Sequence, residues 1–307
     1  MTSAFPSPPF LTDFRILVTG GSGQLATALH RRGGAAVRVV GRPEFDFGRP
    51  DTVVRIMQDI RPDLVINAAA WTAVDAAEDQ PDLARQANVE GPALLAWLCA
   101  GQAVPVLHVS TDYVFSGMKG QPYTEADPVS PQCVYGRTKA EGETAVLGAC
   151  AQAMILRTAW VYGPTGRNFI RTMLTAARSH PRLRVVADQS GNPTSAGDLA
   201  DVLLGIAARI LHTGWQPHYR GVFHAAGSGS CTWHELACVA LKHAGLTHPV
   251  MPITTADWPT PAARPVDARL DCSRLRQVFA LELPHWRDSI GPVVAAIVQH
   301  DRQAASG

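Results

Sequence analysis

Residues 14–32 read FRILVTGGSGQLATALHRR, and this stretch decides the fold class. An apolar β-rich run from Phe14 to Thr19 leads into Gly20-Gly21-Ser22-Gly23, and a helical pattern follows from Gln24 to Arg32. Glycines at such a junction permit a tight turn and a close backbone approach, and the first N–H groups of the helix attract an anion. The spacing Gly20-x-x-Gly23-x-x-Ala26 therefore predicts a site for a dinucleotide pyrophosphate, with a ligand-free glycine turn as the alternative.

Strand and helix patterns alternate beyond this unit. Strands are predicted over residues 37–40, 63–67, 105–109 and 154–157, and helices over 51–60 and 81–100. Later, helices are predicted over 168–179 and 198–212, with strands over 183–186 and 221–224. Alternation of this kind is typical of a parallel sheet covered on both faces. We therefore predict an α/β protein with a Rossmann-type doubly wound parallel sheet and a smaller C-terminal substrate domain.

Composition and charge narrow the class of protein. The 307 residues are 46% hydrophobic and 17% charged, as in an ordinary globular protein with a sizeable core. A net charge of +1 argues against nucleic-acid and membrane partners. Residues 1–13 lack the pattern of a signal peptide, and six cysteines without Cys-x-x-Cys spacing are expected to be reduced and buried. These features predict a cytoplasmic protein.

A Tyr-x-x-x-Lys pair supplies the candidate chemistry. Tyr135 and Lys139 lie at i and i+4, so they share one helix face, and a nearby ammonium is predicted to lower the pKa of the phenol. Ser110 and Thr111 end an apolar run, where a hydroxyl could hold the same substrate oxygen. Beside a hydride source, this set would serve a carbonyl reductase. A lone match of this spacing is more often a solvated helix face.

Residues after the predicted second and third strands are candidates for binding the cofactor. Arg42 stands where an acidic residue would bind the ribose 2′-hydroxyl of NAD, and an arginine there suits the 2′-phosphate of NADP. NADPH is therefore predicted, with NADH as the alternative. Asp46 and Phe47 are candidates for the adenine, although Phe47 could equally be core. Ala68, Ala69 and Ala70 follow the third strand and would let a cofactor lie flat against the backbone.

No metal site is predicted. His234-Glu235 resembles the start of a zincin motif, but Cys238 occupies the place of the second histidine. The remaining histidines lack the spacing of metal ligands.

Eight short motifs follow one another along the chain. Few of them are specific singly, but their joint order is. They are Gly20–Leu25, Asn67–Asp75, Ser110–Phe115 with Gly117, Tyr135-Gly136-x-x-Lys139, Arg157–Tyr162, Asn168-Phe169, Asp188–Thr194 and Pro259–Pro265. In this order they resemble the dTDP-4-dehydrorhamnose reductases of the extended short-chain dehydrogenase/reductase superfamily.

The resemblance implies reduction of the 4-keto group of dTDP-4-dehydro-β-L-rhamnose, giving dTDP-L-rhamnose for cell-surface polysaccharide. It implies that Tyr135 donates the proton, that Lys139 holds the cofactor ribose, and that Thr111 positions the keto oxygen. The implied cofactor contacts are Gly20, Gly23, Gln24, Leu25, Arg42, Asp46, Phe47, Ala68, Ala69, Ala70, Tyr135 and Lys139. The implied substrate contacts are Thr72, Val74, Thr111, Asp112, Tyr135, Trp160 and Arg264, the last toward the diphosphate.

The resemblance also implies two domains. We expect a flexible extension over 1–13 and a dinucleotide-binding Rossmann domain over 14–160, joined by returning segments at about 195–226. Residues 161–194 and 227–307 are expected to form the sugar-nucleotide domain. Some relatives bind Mg²⁺ through an acidic residue on the first helix, but Ala28 stands at that position here, so this metal contact is not expected. Monomer and homodimer both stay open.

Two other functions fit parts of the pattern. A related sugar-nucleotide epimerase or dehydratase is one, but a dehydratase typically carries an Asp-Glu pair after the threonine, where this chain has Asp112-Tyr113. The other is a non-catalytic regulatory subunit of a methionine adenosyltransferase-type partner, against which the intact Thr111, Tyr135 and Lys139 argue.

Overall fold

A six-stranded parallel sheet forms the centre of the computed structural model, which describes residues 11–306. Its strands are β1 (Ile16–Thr19), β2 (Val37–Val40), β3 (Leu64–Asn67), β4 (Val106–Thr111), β5 (Ala153–Thr158) and β10 (Gly221–His224). They lie in the order β2-β1-β3-β4-β5-β10. The order reverses direction between β1 and β3, and ligands of doubly wound sheets bind beyond the carboxyl ends of the strands at such a point.

Helices cover both faces of this sheet. On one face, α1 (Gln24–Gly33), α8 (Ala196–Thr213) and α10 (Ser273–Phe279) bury their apolar sides against it. On the other face lie α2 (Pro50–Ile60), α5 (Gly91–Gly101) and α6 (Val134–Ala149). Because both faces are covered, β1, β3 and β5 each begin with a continuous apolar run, and every residue in these strands is buried, including the polar residues at their ends.

A separate apolar core is built mainly from the second half of the chain. It unites α7 (Phe169–Ser179), α9 (Trp233–His243), α11 (Trp286–Ser306) and β7 (Leu183–Val186). Strand β12 (Val250–Ile253) pairs with β7 in parallel. Two further short pairs are β6 (Val161–Tyr162) with β9 (Thr194–Ser195), and β8 (Ser190–Gly191) with β11 (Cys231–Thr232).

The predicted parallel α/β sheet is confirmed, and one predicted helix is interrupted. The pattern over 81–100 becomes α4 (Pro81–Arg85), a π-helical turn (Gln86–Glu90) and α5, and α3 (Val74–Asp79) precedes them. Pro92 has no N–H to donate to the Asn88 carbonyl, so a regular α-helical ladder is broken at this point. Single π turns of this kind are frequent at functional sites.

Three other sequence predictions concern the cysteines, the N-terminal extension and membrane helices. All six cysteines are free, four of them buried, with Cys238 and Cys272 only partly buried. The extension expected over 1–13 falls largely outside the described residues, but Leu11 is buried in the apolar core that also contains residues of α1 and α8. Among residues 11–306, no helix combines the length and the apolarity needed to cross a bilayer.

Candidate active site

The glycine turn after β1 lies at the reversal of strand order. Gly20 has a φ of 112°, and a Cβ there would come within 2.9 Å of the Ala68 carbonyl oxygen, so only glycine fits. Gly23 caps α1 without a side-chain hydrogen bond to the first helical turn. The first N–H groups of α1 therefore have no side-chain acceptor at the cap, which suits a phosphate group.

The predicted cofactor residues divide into exposed and buried ones. Arg42 is exposed, and among residues 11–306 no carboxylate lies within ion-pair distance of it. Asp46 accepts a hydrogen bond from the Gly48 N–H at 2.9 Å. Phe47 packs edge-to-face on Phe45 in the core, so the core alternative holds for its ring. Leu25 also places its side chain in the core, which leaves its backbone N–H for a ligand.

Ala68, Ala69 and Ala70 leave β3 half-buried beside the glycine turn. Next to them, Asn88 accepts a hydrogen bond from the Trp71 N–H at 2.9 Å and donates one to Thr138 Oγ1 on α6 at 3.0 Å. The π turn thus holds the loop after β3 against the helix that carries Tyr135. Thr72, further along the loop, is exposed, and Val74 is half-buried.

Thr111, Asp112 and Tyr135 meet at the carboxyl end of β4. Thr111 Oγ1 donates to Asp112 Oδ1 at 2.9 Å and accepts from the Tyr113 N–H at 3.2 Å. Asp112 Oδ2 is buried without a partner among the described residues. Burial raises the pKa of Asp112 to about 7, although the hydrogen bond from Thr111 opposes the increase. This carboxyl can therefore carry a proton near neutral pH and donate a hydrogen bond.

The predicted lowering of the Tyr135 pKa is wrong for this structure. Burial raises the pKa of Tyr135 well above its ordinary value, and a hydrogen bond with Thr111 only partly offsets this. The ring lies edge-to-face on Tyr113, with centroids 5.4 Å apart. The i, i+4 spacing did not predict the pKa of Tyr135, because the Lys139 ammonium is hydrogen-bonded to the Val109 carbonyl. A phenol that keeps its proton is the form required to protonate a developing alkoxide.

Lys139 is buried, with 1% of its surface exposed, and its Nζ faces β4. Nζ donates to the Val109 carbonyl at 2.7 Å and lies 3.3 Å from Nε2 of His108. Burial lowers the pKa of Lys139 to about 8, and the charge of Glu143 opposes this. Lys139 is therefore a buried amine close to its own titration point.

Ser110 belongs to a different cluster from the candidate site. Its hydroxyl donates to Glu143 Oε1 at 2.6 Å, and Glu143 accepts two hydrogen bonds from Arg157, at 2.8 and 2.6 Å. The whole group is buried. The expectation that Ser110 could hold the substrate oxygen is thus wrong, because alternation along β4 turns Ser110 toward α6 and leaves Thr111 at the strand end.

Trp160 is held in an unusual conformation by its neighbours. Its φ is 45°, which is costly for a side chain of this size. Its indole stacks on Trp233 with centroids 3.5 Å apart, and a Cβ on Gly191 would come within 2.5 Å of its ring. Trp233 is fixed in turn, because its Nε1 donates to Gln189 at 3.2 Å. Contacts from two segments, Gln189–Gly191 and Trp233, therefore offset the backbone strain at Trp160.

Arg264 lies in the segment Pro259–Pro265, and its side chain contacts α3. Its guanidinium donates to Asp75 Oδ2 at 2.7 Å and to the Ala262 carbonyl at 3.0 Å. Asp75 also accepts from the Ala262 N–H at 3.2 Å. The loop is thereby tied to α3, and a role toward a diphosphate stays a prediction.

No group of three or more His, Cys, Asp or Glu side chains within residues 11–306 is arranged to hold a metal ion. His234, in the dismissed zincin-like motif, lies 3.1 Å from the Val250 carbonyl.

Several residues that shape the site were assigned no role from the sequence, although Asn67, Asp75 and Gln189 lie in the quoted motifs. They are Asn67, Asp75, Asn88, His108, Gln189 and Trp233. For His108 a signal was available, because it is a polar residue between apolar neighbours in a buried strand, and such a residue needs a buried partner. For Trp233 and Gln189 there was none, since their partners are distant in the chain.

Comparison with known proteins agrees with this geometry. The family model for the RmlD substrate binding domain matches residues 14–299. The chain belongs to this family. The dTDP-4-dehydrorhamnose reductase of Sinorhizobium fredii is 42% identical over 296 residues, covering 94% of this chain and all of that protein.

Solved structures give the same result. The crystal structure of a dTDP-4-dehydrorhamnose reductase from Clostridium acetobutylicum is 36% identical, with a TM-score of 0.84 over 92% of this chain and 98% of that one. The reductase from Bacillus anthracis, solved in complex with NADP, is 30% identical, with a TM-score of 0.85 over 91% and 98%. This family member therefore shares both fold and length with reductases of known structure.

Proposed function

We propose that this family member is a dTDP-4-dehydrorhamnose reductase that uses NADPH to reduce the 4-keto group of its sugar nucleotide, giving dTDP-L-rhamnose. The observation that carries the proposal is the buried, protonated Tyr135 bonded to Thr111 at the carboxyl end of β4. Relatives that cover nearly the whole chain and carry this name support the same assignment. We assign the protein to the cytoplasm, as a producer of precursor for cell-surface polysaccharide.

The residues present fit NADPH. The glycine turn leaves room only for backbone, the cap of α1 has no competing side-chain acceptor, and Arg42 has no carboxylate partner among the described residues. Gln24 and the backbone of Leu25 would flank the pyrophosphate, and Arg42 would pair with the 2′-phosphate. When bound, the dinucleotide supplies the hydride. The NADP complex of the relative from Bacillus anthracis supports this choice of cofactor.

The residues of the chain would then act on the ketone oxygen. Thr111 and Tyr135 hold that oxygen by hydrogen bonds, and Tyr135 passes its phenolic proton to the alkoxide as charge develops. In other enzymes, removing a single oxyanion donor costs several kcal/mol of transition-state stabilisation. Two such donors in a buried site are expected to stabilise the oxyanion here by at least several kcal/mol. Lys139 would contact the cofactor ribose, and its positive charge would stabilise the phenolate that Tyr135 leaves behind.

The sugar nucleotide would lie between the two halves of the molecule. We propose that residues 161–194 and 227–307 form its domain, with Trp160 and Asp112 against the sugar and with Thr72 and Val74 at the rim. Arg264 would meet the diphosphate once it leaves Asp75.

One assay separates the candidate functions. Purified protein is mixed with dTDP-4-dehydrorhamnose and NADPH or NADH, cofactor oxidation is followed, and the configuration at sugar C4 is read by NMR. A reductase consumes one reduced cofactor per product and stops without it. Turnover without added cofactor would indicate an epimerase or dehydratase instead. Absence of turnover, together with a stoichiometric enzyme partner in a pull-down, would indicate a regulatory subunit.

A further inference from the structure

Trp160 lies at the junction between the central sheet and the second apolar core. It is the second residue after Thr158, which ends β5, and the strand register places Thr158 beside Thr111. Strand β6 begins directly after Trp160 and pairs with β9. With a φ of 45°, Trp160 makes the turn from β5 to β6 in a conformation that is rare for a bulky residue. The backbone of Trp160 is therefore anchored next to the strand ends that carry the candidate site.

The indole of Trp233 covers one face of the Trp160 indole. The two ring centroids are 3.5 Å apart, and the ring planes are within 9° of parallel. Trp233 directly follows β11, and β11 pairs with β8 so that Cys231 lies opposite Gly191. The same strand pair thus brings Trp233 onto Trp160 and places Gly191 against its ring, where a Cβ would come within 2.5 Å. Two neighbours therefore confine the Trp160 indole.

Hydrogen bonds through Gln189 fix the orientation of the Trp233 ring. The indole Nε1 can only donate, and it donates to Oε1 of Gln189 at 3.2 Å. Nε2 of Gln189 donates to Thr255 Oγ1 at 3.0 Å, and the Thr255 hydroxyl donates in turn to Asp188 Oδ1 at 2.7 Å. Gln189 is buried, and both ends of its amide are bonded. The position of the Trp233 ring is thus set by directional bonds as well as by stacking.

The backbone at Trp233 is fixed by the stretch that resembles the start of a zincin motif. Thr232 caps α9, because its Oγ1 accepts a hydrogen bond from the Glu235 N–H at 3.1 Å. The Glu235 carboxylate pairs with Arg287 in the first turn of α11. These contacts hold the first turn of α9, from which Trp233 projects. The motif therefore serves to fix an aromatic ring instead of a metal ion.

Trp160 keeps part of its ring accessible. It is half-buried although Trp233 covers one of its faces. We propose that Trp233, held by Gln189, is a positioning residue of the reductase, which keeps the Trp160 indole in the orientation that contacts the sugar. A ring that is fixed before binding loses less conformational freedom when the ligand arrives, so the ligand binds more tightly. The inference rests on the proposed function, because it concerns Trp160 as a sugar contact.

The Trp233→Leu variant tests the proposal, because leucine keeps an apolar side chain but offers no ring to stack and no N–H for Gln189. We expect KM for dTDP-4-dehydrorhamnose to rise about tenfold, in line with the loss of an aromatic pair. The value of kcat should change by less than about twofold, since Tyr135 and Thr111 are untouched. Trp233→Phe retains a ring, so its KM should lie between those of the wild type and Trp233→Leu.

Trp286→Leu is the matched control. Trp286 also begins a helix, lies in the same apolar core and is 1% exposed, so its ring is not available to the sugar. This variant should lower the melting temperature and leave KM unchanged. Equal rises in KM for Trp233→Leu and Trp286→Leu would overturn the proposal, and so would a fall in kcat at constant KM.

A second measurement needs no turnover. In protein labelled with ¹⁵N-tryptophan, the Trp160 indole N–H signal is assigned by its loss in Trp160→Phe. We expect one narrow Trp160 signal in the wild type and in Trp286→Leu, and a broadened or split signal in Trp233→Leu, because the indole then samples several orientations. A single narrow signal in Trp233→Leu would overturn the proposal. If the wild type does not reduce the ketosugar, the proposed function fails, while this signal still decides whether Trp233 holds Trp160.

Discussion

Two buried charged clusters lie one turn apart on α6, and they differ in how their charge is compensated. Glu143 is bonded twice to Arg157 and once to Ser110, so its charge is paired and its acceptors are occupied. Lys139 has no carboxylate bonded to Nζ within residues 11–306, and it contacts a carbonyl and a histidine instead. A paired buried charge holds elements together, whereas an unpaired one costs stability and is retained where chemistry needs it.

Breaking the paired cluster should have the largest effect. Glu143→Ala leaves the Arg157 guanidinium buried and uncompensated, so we expect a loss of about 3–5 kcal/mol in the free energy of unfolding. Urea denaturation followed by circular dichroism measures it. Replacing the exposed ion-pair partner Glu141 by Ala on the same helix is the control, with an expected loss of at most about 1 kcal/mol. Equal losses in the two variants would contradict the distinction between the clusters.

Replacing Lys139, the buried charge without a bonded carboxylate among the described residues, should increase the free energy of unfolding. The pKa of Lys139 lies at about 8 in the folded protein, below the 10.5 expected of an unfolded lysine. The unfolded state therefore binds more protons between these values, and the lysine contributes a penalty that is full below pH 8 and relieved as pH rises toward 10.5. The penalty amounts to about 3 kcal/mol.

Lys139→Met should thus abolish reduction and yet raise the melting temperature of the cofactor-free protein at pH 7. Its advantage over the wild type should shrink between pH 8 and 9.5, within roughly the window set by the Lys139 pKa. Thermal melts of both proteins across this range provide the measurement. A variant that is less stable than the wild type at pH 7 would contradict the prediction that the buried Lys139 charge lowers stability.

Replacing Tyr135, the proposed proton donor, by Phe tests the mechanism without disturbing the packing of its ring. Tyr135→Phe keeps the ring contact with Tyr113 and removes only the hydroxyl, so kcat should fall at least ~100-fold with a modest change in KM. Tyr113→Phe is the matched variant, since its ring is the other half of the same pair, and its kcat should fall far less. Near-wild-type turnover by Tyr135→Phe would remove the proposed mechanism.

An unpaired charge at the surface should matter least. Arg42 has no ion-pair partner among the described residues, and Arg42→Ala is expected to raise KM for NADPH about tenfold while leaving KM for NADH unchanged. Steady-state kinetics with both cofactors decide this. Arg38, which is exposed and paired with Glu44, is the control, and Arg38→Ala should leave both values unchanged. A parallel rise for the two cofactors would remove the 2′-phosphate contact.

Much of the fold was predictable because local patterns determine it. The apolar runs that become β1, β3 and β5 are continuous since both sheet faces are covered, and the glycine turn is specified by its backbone alone. The sites of Thr111 and Tyr135 followed from a strand end and a helix spacing. The division into two domains and the roles of Arg264 and Trp160 stay predictions, because they concern a bound sugar nucleotide.

The sequence by itself determined the parallel α/β architecture, the glycine turn and the set of hydroxyl and amine groups available for chemistry. Tertiary structure alone decided how those groups are charged. Burial keeps the proton on Tyr135, burial also lowers the pKa of Lys139 to about 8, and Glu143 and Ser110 are bonded to each other and to Arg157 instead of facing the site. The reason is physical: a pKa depends on desolvation and on neighbours brought together from distant parts of the chain, which no local pattern specifies.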